Sequence, residues 1–334
     1  MEMAMGFVRG KTLCAAARLG IADALAQGPM TSDELACKTD TNPSALYRLM
    51  RALASIGIVE EVEQHRFALT TFGGPLRKDA PDTVWANMIF WADLLADAWT
   101  YLPECVRAGD RSGAEAARQR DGTTSRWSIV PDARAIFHAA FAEPTADANS
   151  PYVGAWDFSS CRVIADLGGG GGGLLSAVLA ANPEAQGVLV ERQAAIDGAS
   201  DRFKAAGLAD RCTLVVADLL ESVPAGADVY LMRCVLHGYN DELSLRILQN
   251  IRRAMSPNSR LLLIEVVLPD RIASPDPEME KLAMSDLNML AVTGGRERTD
   301  NEWKTLLTTA DLELCKILPV RHQTASILEA SACR

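Results

Sequence analysis

One stretch organises the chain. Val163-Ile164-Ala165-Asp166-Leu167 is an apolar run that stops in six consecutive glycines, Gly168 to Gly173, and an apolar run resumes at once from Leu174 to Ala180. A strand that breaks in glycine and restarts as a helix is how a doubly wound α/β domain presents backbone to a nucleotide-like ligand. Side chains there would hold the ligand away and forbid the tight turn. The stretch therefore predicts a Rossmann-like α/β sheet with a cofactor site at its carboxyl edge.

Gly168, Gly170 and Gly173 also satisfy G-x-G-x-x-G, the dinucleotide fingerprint, and a glycine loop can exist without any ligand. The neighbouring acids separate these readings. Asp166 stands in the first strand, Glu191 ends the run Gly187 to Val190, and Asp218 follows the run Leu214 to Ala217. Parallel neighbours would bring all three carboxylates to one edge, where a pyrophosphate is repelled. S-adenosylmethionine carries an ammonium and a sulfonium, so the acids favour that cationic cofactor over a dinucleotide.

Asp166-Leu167-Gly168-Gly169-Gly170-Gly171-Gly172 resembles the D-V-G-G-G-x-G motif of class I methyltransferases acting on small aromatic molecules, the plant caffeic acid O-methyltransferase type and its bacterial natural-product relatives. Further matches follow in order: Ala217-Asp218-Leu219, Leu231 to Glu242 with His237 inside it, Leu263-Ile264-Glu265, and Gly294-Gly295-Arg296-Glu297-Arg298-Thr299. The resemblance spans nearly the whole chain. It implies a methyltransferase sheet preceded by an N-terminal, mostly helical winged-helix domain that forms a homodimer.

By resemblance, His237 is the general base that deprotonates the acceptor hydroxyl, and Glu265 and Glu297 hold and orient it. A neutral phenol is a poor nucleophile near neutral pH, and imidazole titrates in that range. An exposed ion pair within Arg296-Glu297-Arg298 is the plainer reading of Glu297. The resemblance puts Asp166, Gly168, Gly170, Glu191, Asp218, Leu219 and Arg233 around the cofactor, with Glu191 accepting the ribose hydroxyls. Phe141, Tyr239, Met284, Asn288 and Met289 are the expected acceptor contacts. Two departures stand out: Gly238 replaces the aspartate usual after the histidine, and Arg192-Gln193 replaces a common Leu-Pro.

With 334 residues, 49% hydrophobic and 23% charged, the chain is long enough for two domains, and its net charge of −10 argues against non-specific binding to nucleic acid or anionic membranes. No apolar run reaches the roughly 18 residues of a transmembrane helix, and no signal peptide is evident, which predicts a cytoplasmic protein. Eight cysteines and four histidines show no metal-ligand spacing, so no metal is expected.

In chain order, helical spacing over 8–27 is broken at Gly20, Thr31-Ser32-Asp33-Glu34 caps a short helix, and Asn42-Pro43-Ser44 opens another that stops at Gly57. Two short strands, 58–62 and 66–69, complete a winged helix. Such a unit often binds DNA, and a winged-helix regulator is the competing class. Its recognition helix offers Arg48 and Arg51, but Leu46, Tyr47, Leu49 and Met50 give it an apolar face better suited to a partner helix. The aromatic-rich 81–108 reads as helix, polar 109–122 as loop, and 132–143 as a helix that the resemblance places over the acceptor pocket. The expected division is a dimerisation domain at 1–108, a linker with pocket-covering helix at 109–160 and a catalytic domain at 161–334. The expected activity is O-methylation of a small aromatic acceptor. An N-methyltransferase, or a cofactor-binding isomerase or decarboxylase that does not methylate, remains open.

Overall fold

The computed structural model describes residues 2–141 and 150–333. The chain divides into two compact units, Met1–Tyr101 with Ala116–Phe141, and Leu102–Glu115 with Ala142–Arg334.

In the first unit, the helix Glu2–Arg18 is followed by Ile21–Leu25, with Gly20 in the left-handed region between them. Thr31 and Glu34 form the expected capping box on the helix Ser32–Thr39, and Asn42 caps Pro43–Ser55 through the Ala45 N–H. Both caps satisfy N–H groups that the first helical turn leaves without partners. Strands β2 (Val59–Glu63) and β3 (Arg66–Leu69) form the expected hairpin. A third strand, β1 (Met30–Thr31), pairs with β3. It is too short to leave a periodic signal.

Leu46, Met50 and Leu53 sit in this unit's own core with Ile21, Leu35 and Phe67. This corrects the expectation that the apolar face of Pro43–Ser55 is kept for a partner. A second correction concerns 109–122, which contains the helix Ser112–Asp121. Its only buried apolar groups are Ala114 and Ala117, one turn apart. Two methyl groups are too weak a stripe to stand out from the polar background. Ion pairs support the helix instead: Arg111 with Glu115 at i,i+4, and Arg118 with Asp97 on an earlier helix.

The second unit carries a mixed sheet. Strands β4 (Val163–Leu167), β5 (Gln186–Glu191), β6 (Cys212–Val216), β7 (Val229–Arg233), β8 (Arg260–Leu268), β9 (Arg298–Thr299), β10 (Leu312–Leu318) and β11 (Ala325–Ala332) make it up. The order is β10-β11-β8-β7-β4-β5-β6, with β9 beside the end of β8. Strands β4 to β8 run parallel, and β10 and β11 close the sheet as an antiparallel hairpin. Both faces are covered. Ile164, Leu231 and Leu262 point into one apolar layer, and Ala165, Tyr230 and Leu261 into the other. That two-sided burial is why these strands read as unbroken apolar runs.

The chain steps from β4 to β5 on one side and reaches β7 on the other. The reversal opens a crevice at the carboxyl end of β4, the usual ligand position in open α/β sheets. The glycine loop fills that position. Gly172, at φ 75°, caps the helix Gly173–Ala181, and a Cβ on it would lie 2.6 Å from the Phe203 ring. Among the described residues, no helix is long and apolar enough to cross a membrane.

These contacts predict an asymmetry between adjacent glycines. Gly172→Ala should destabilise the protein by at least about 1–2 kcal/mol from the left-handed backbone alone. Gly173→Ala, a helical position with open space around it, should be neutral or stabilising by about 0.5–1 kcal/mol. Thermal unfolding of the two variants checks this.

Candidate active site

The glycine loop is packed on one side and open on the other. A Cβ at Gly169 would fall 2.3 Å from Asp166 Oδ2, whereas Gly170 and Gly173 have no neighbour within 4 Å of such an atom. Asp166 is buried beneath the loop, and Gly168 N–H donates to the Val190 carbonyl at 2.8 Å. Glu191 Oε2 lies 3.8 Å from the Cβ position of Gly168, so its carboxyl reaches over the first glycine. Burial pushes the Glu191 carboxyl up, against the lowering effect of the Arg192 N–H and charge.

Asp218 folds back on its own chain, accepting from Leu220 N–H at 2.9 Å, and Leu219 is tied down through its carbonyl by Asn250. Burial raises the Tyr239 phenol; the charge of Arg192 opposes this, and Asp218 and Glu191 add to it. Tyr239, expected at the acceptor, thus lies in the field of the acids at the glycine-loop edge. Arg233, at the end of β7, stacks its guanidinium 5.2 Å from the Tyr152 ring centre.

His237 comes four residues after β7, in the short helical turn Leu236–Gly238. Cys234, just before the turn, adopts a left-handed backbone at φ 52°. The turn is pinned to β8, because Glu265 Oε1 accepts the N–H groups of Val235 and Leu236 at 3.0 and 2.9 Å. Those bonds leave Glu265 Oε2 facing the imidazole, 3.8 Å from Nδ1. Glu297 approaches closer, with Oε1 at 3.1 Å from Nδ1. Both carboxyls are essentially inaccessible, at 0% and 1% exposure, which excludes an exposed ion pair for Glu297.

Burial disfavours the imidazolium, but Glu265 and then Glu297 outweigh it, and His237 titrates above its ordinary value of 6.5. Burial raises the Glu265 carboxyl, partly offset by His237. The contact to Glu297 engages Nδ1, so the nitrogen left for a reacting group is Nε2.

Of the remaining expected residues, Met284, Asn288 and Met289 lie on the helix Pro277–Val292, with Met284 exposed and Asn288 buried. The side chain of Phe141 lies outside the described residues. Gly238 has room beside it, since a Cβ would meet nothing nearer than Thr293 Cγ2 at 4.0 Å. Gly295 has none, because its Cβ would overlap the His237 carbonyl at 2.0 Å. That close pass lets Arg296 N–H bond the same carbonyl at 2.9 Å.

Sequence reasoning missed three residues. Ser285 donates to Glu297 Oε1 at 2.7 Å, and Asp286 Oδ1 accepts Glu297 N–H at 2.9 Å. Their helical spacing from Asn288 and Met289 is the signal that could have found them. Arg298, 1% exposed, binds the Tyr239 carbonyl at 3.1 Å, Asp241 Oδ1 at 2.8 Å and Ser244 Oγ at 3.1 Å, and stacks over Trp303. In sequence it is one residue of a matched motif and of a charged run, with no role of its own.

A family model described as the O-methyltransferase domain matches residues 99–313, and an O-methyltransferase dimerisation domain matches residues 1–76. The chain belongs to the O-methyltransferase family. It is 36% identical to the phenazine O-methyltransferase PhzM of Lysobacter antibioticus, over 99% of this chain and 94% of that protein. It is 33% identical to the 8-amino-8-demethylriboflavin N,N-dimethyltransferase of Streptomyces davaonensis, over 92% and 87%. The O-methyltransferase NcsB1 from neocarzinostatin biosynthesis, solved with S-adenosylmethionine and 2-hydroxy-5-methyl naphthoic acid, superposes with a TM-score of 0.81 at 28% identity, covering 97% of this chain and 96% of its own.

The raised His237 has a signed consequence for stability. Its proton stabilises the fold below pH about 6.5, and that contribution is lost as pH rises through the folded value. The difference in stability between wild type and His237→Gln should therefore be largest near pH 5–6 and shrink at higher pH, by roughly 1.4 kcal/mol per unit of pKa difference at the limit. Thermal melts of both proteins across pH 5 to 9 test it.

Proposed function

We propose that this chain transfers the methyl group of S-adenosylmethionine to a hydroxyl of a small aromatic acceptor, with His237 as general base. The carrying observation is the contact of His237 Nδ1 with Glu297 Oε1, in a turn at the carboxyl edge that also holds the glycine loop. Membership of the O-methyltransferase family supports the reaction class.

The residues present fit the donor. The loop leaves open space over Gly170, and Asp166, Glu191 and Asp218 give the edge the negative character that a sulfonium and an ammonium need. In this reading Glu191 holds the ribose hydroxyls, Asp218, Leu219 and Arg233 border the adenosine, and Gly168 and Gly170 admit the donor to the backbone. When bound, S-adenosylmethionine supplies an electrophilic methyl group on sulfur.

Glu297 accepts Nδ1–H and so presents Nε2 as the acceptor of the substrate proton, and Glu265 stabilises the imidazolium once it forms. Met284, Asn288 and Met289 border the acceptor in this assignment. These residues would hold the acceptor oxygen beside Nε2 and orient it toward the donor, and such positioning lowers the entropic part of the barrier. The first unit pairs two copies: Met3, Phe7 and Val8 are exposed on its first helix, within the stretch matched by the dimerisation domain.

Transfer to nitrogen is the second reading, favoured by the 33% identity to an N,N-dimethyltransferase. An amine has its own lone pair and depends less on His237. His237→Ala should lower single-turnover methyl transfer to a phenolic acceptor by about 10²–10⁴-fold without weakening donor binding by calorimetry. Near-wild-type transfer to a phenol would remove the base assignment, and transfer confined to amines would select the second reading. Glu191→Ala should weaken S-adenosylhomocysteine binding by about 10–100-fold, the loss of charge-assisted bonds, as read by calorimetry.

A further inference from the structure

We propose that Ser285 is a positioning residue for His237, acting through the Glu297 carboxyl. The proposal rests on His237 being the functional imidazole of this site. Ser285 Oγ lies 2.7 Å from Glu297 Oε1, and that same oxygen lies 3.1 Å from His237 Nδ1. The hydroxyl donates to one lone pair of Oε1, and the other lone pair is left for Nδ1–H. Glu297 Oε2 is buried and accepts no hydrogen bond among the described residues. Every polar contact of this carboxyl therefore converges on a single oxygen.

The geometry gives Ser285 a task that the backbone cannot perform. Asp286 Oδ1 holds the Glu297 N–H at 2.9 Å, so the main chain of Glu297 is fixed by the residue next to Ser285. The plane of the carboxyl is not fixed by that bond, because the terminal torsion of glutamate is broad and roughly two-fold. Ser285 sets that plane from a rigid helix, Pro277–Val292. With the plane set, Oε1 meets Nδ1 and the neutral ring keeps its hydrogen there, leaving Nε2 open.

The titratable groups facing the ring are Glu265 from β8, Glu297 from the residue before β9, and Cys234, whose Sγ lies within 4.8 Å of both the His237 and Glu265 ligand atoms. Behind Glu297 stand Asp286 and Arg296. A serine that merely fills a buried polar position would leave the ring's titration unchanged when removed. A serine that sets the carboxyl would not. Without its hydroxyl the carboxyl plane is free to turn, Oε1 swings away from Nδ1–H, and the imidazolium loses a stabilising acceptor, so the ring gives up its proton at lower pH.

The test is the titration of His237 by NMR in protein labelled at histidine with ¹³C and ¹⁵N, saturated with S-adenosylhomocysteine. His237→Gln identifies the resonance among the four histidines. Ser285→Ala should lower the His237 midpoint by about half a unit or more and introduce the Nε2–H tautomer, a loss comparable to one hydrogen bond to a charged group. Ser285→Thr, which keeps a hydroxyl, should restore the wild-type curve. A Ser285→Ala titration superimposable on wild type overturns the proposal, as does a Ser285→Thr curve that follows Ser285→Ala while both proteins melt like wild type. The base assignment fails on a different result, normal turnover by His237→Ala, so the two failures are separately visible.

Discussion

Two carboxyl groups taken out of water beside a single imidazole are the constraint on which the rest of this site depends. Burying an ionised carboxylate is expensive unless hydrogen bonds or an opposite charge replace water. Each glutamate is given a different replacement. Glu265 takes two backbone N–H groups from the turn that carries His237, so the act of satisfying the carboxyl also fixes the turn. Glu297 takes a hydroxyl from a neighbouring helix and the ring nitrogen itself. The imidazole is thus held from two elements by groups that need it as much as it needs them.

Arg298 completes the arrangement from behind. Its guanidinium is buried, spans the segment from Leu236 to Ser244 through carbonyls, a carboxylate and a hydroxyl, and rests on the face of Trp303. A planar fork with five donors suits such a set of divergent acceptors in a way a lysine ammonium would not. Its neighbour Glu297 points to the imidazole from the adjacent position, so the residue before β9 and the first residue of β9 serve the histidine and the loop that carries it. Gly295 allows this by letting the segment pass against the His237 carbonyl.

Much of the fold was legible because it rests on local periodicity. The sheet strands are buried on both faces and so announce themselves as apolar runs. The capping box at Thr31 and the Asn42-Pro43 start follow from backbone groups that any helix leaves unsatisfied. The failures have equally local causes: Ser112–Asp121 buries only two alanines, and β1 is two residues long. His237, Glu265 and Glu297 were visible through an ordered set of motifs. Ser285 was not, since its only signal is helical spacing from Asn288 and Met289, which does not say what its hydroxyl meets.

The sequence by itself determined the doubly wound sheet, the glycine loop at the end of β4 and the acids at or near the ends of β4, β5 and β6, because strand period, glycine content and strand ends are properties of neighbouring residues. The tertiary structure alone decided which side chains meet. Ser285 and Glu297 are 12 residues apart and His237 and Glu297 are 60 apart, and their contacts at 2.7 and 3.1 Å arise only when β7, β8 and the helix Pro277–Val292 are packed. The same packing turned Glu297 and Arg298 from a charged run into buried groups. Whether a charge is solvated or enclosed depends on what the rest of the chain places around it, and no stretch of sequence records that locally.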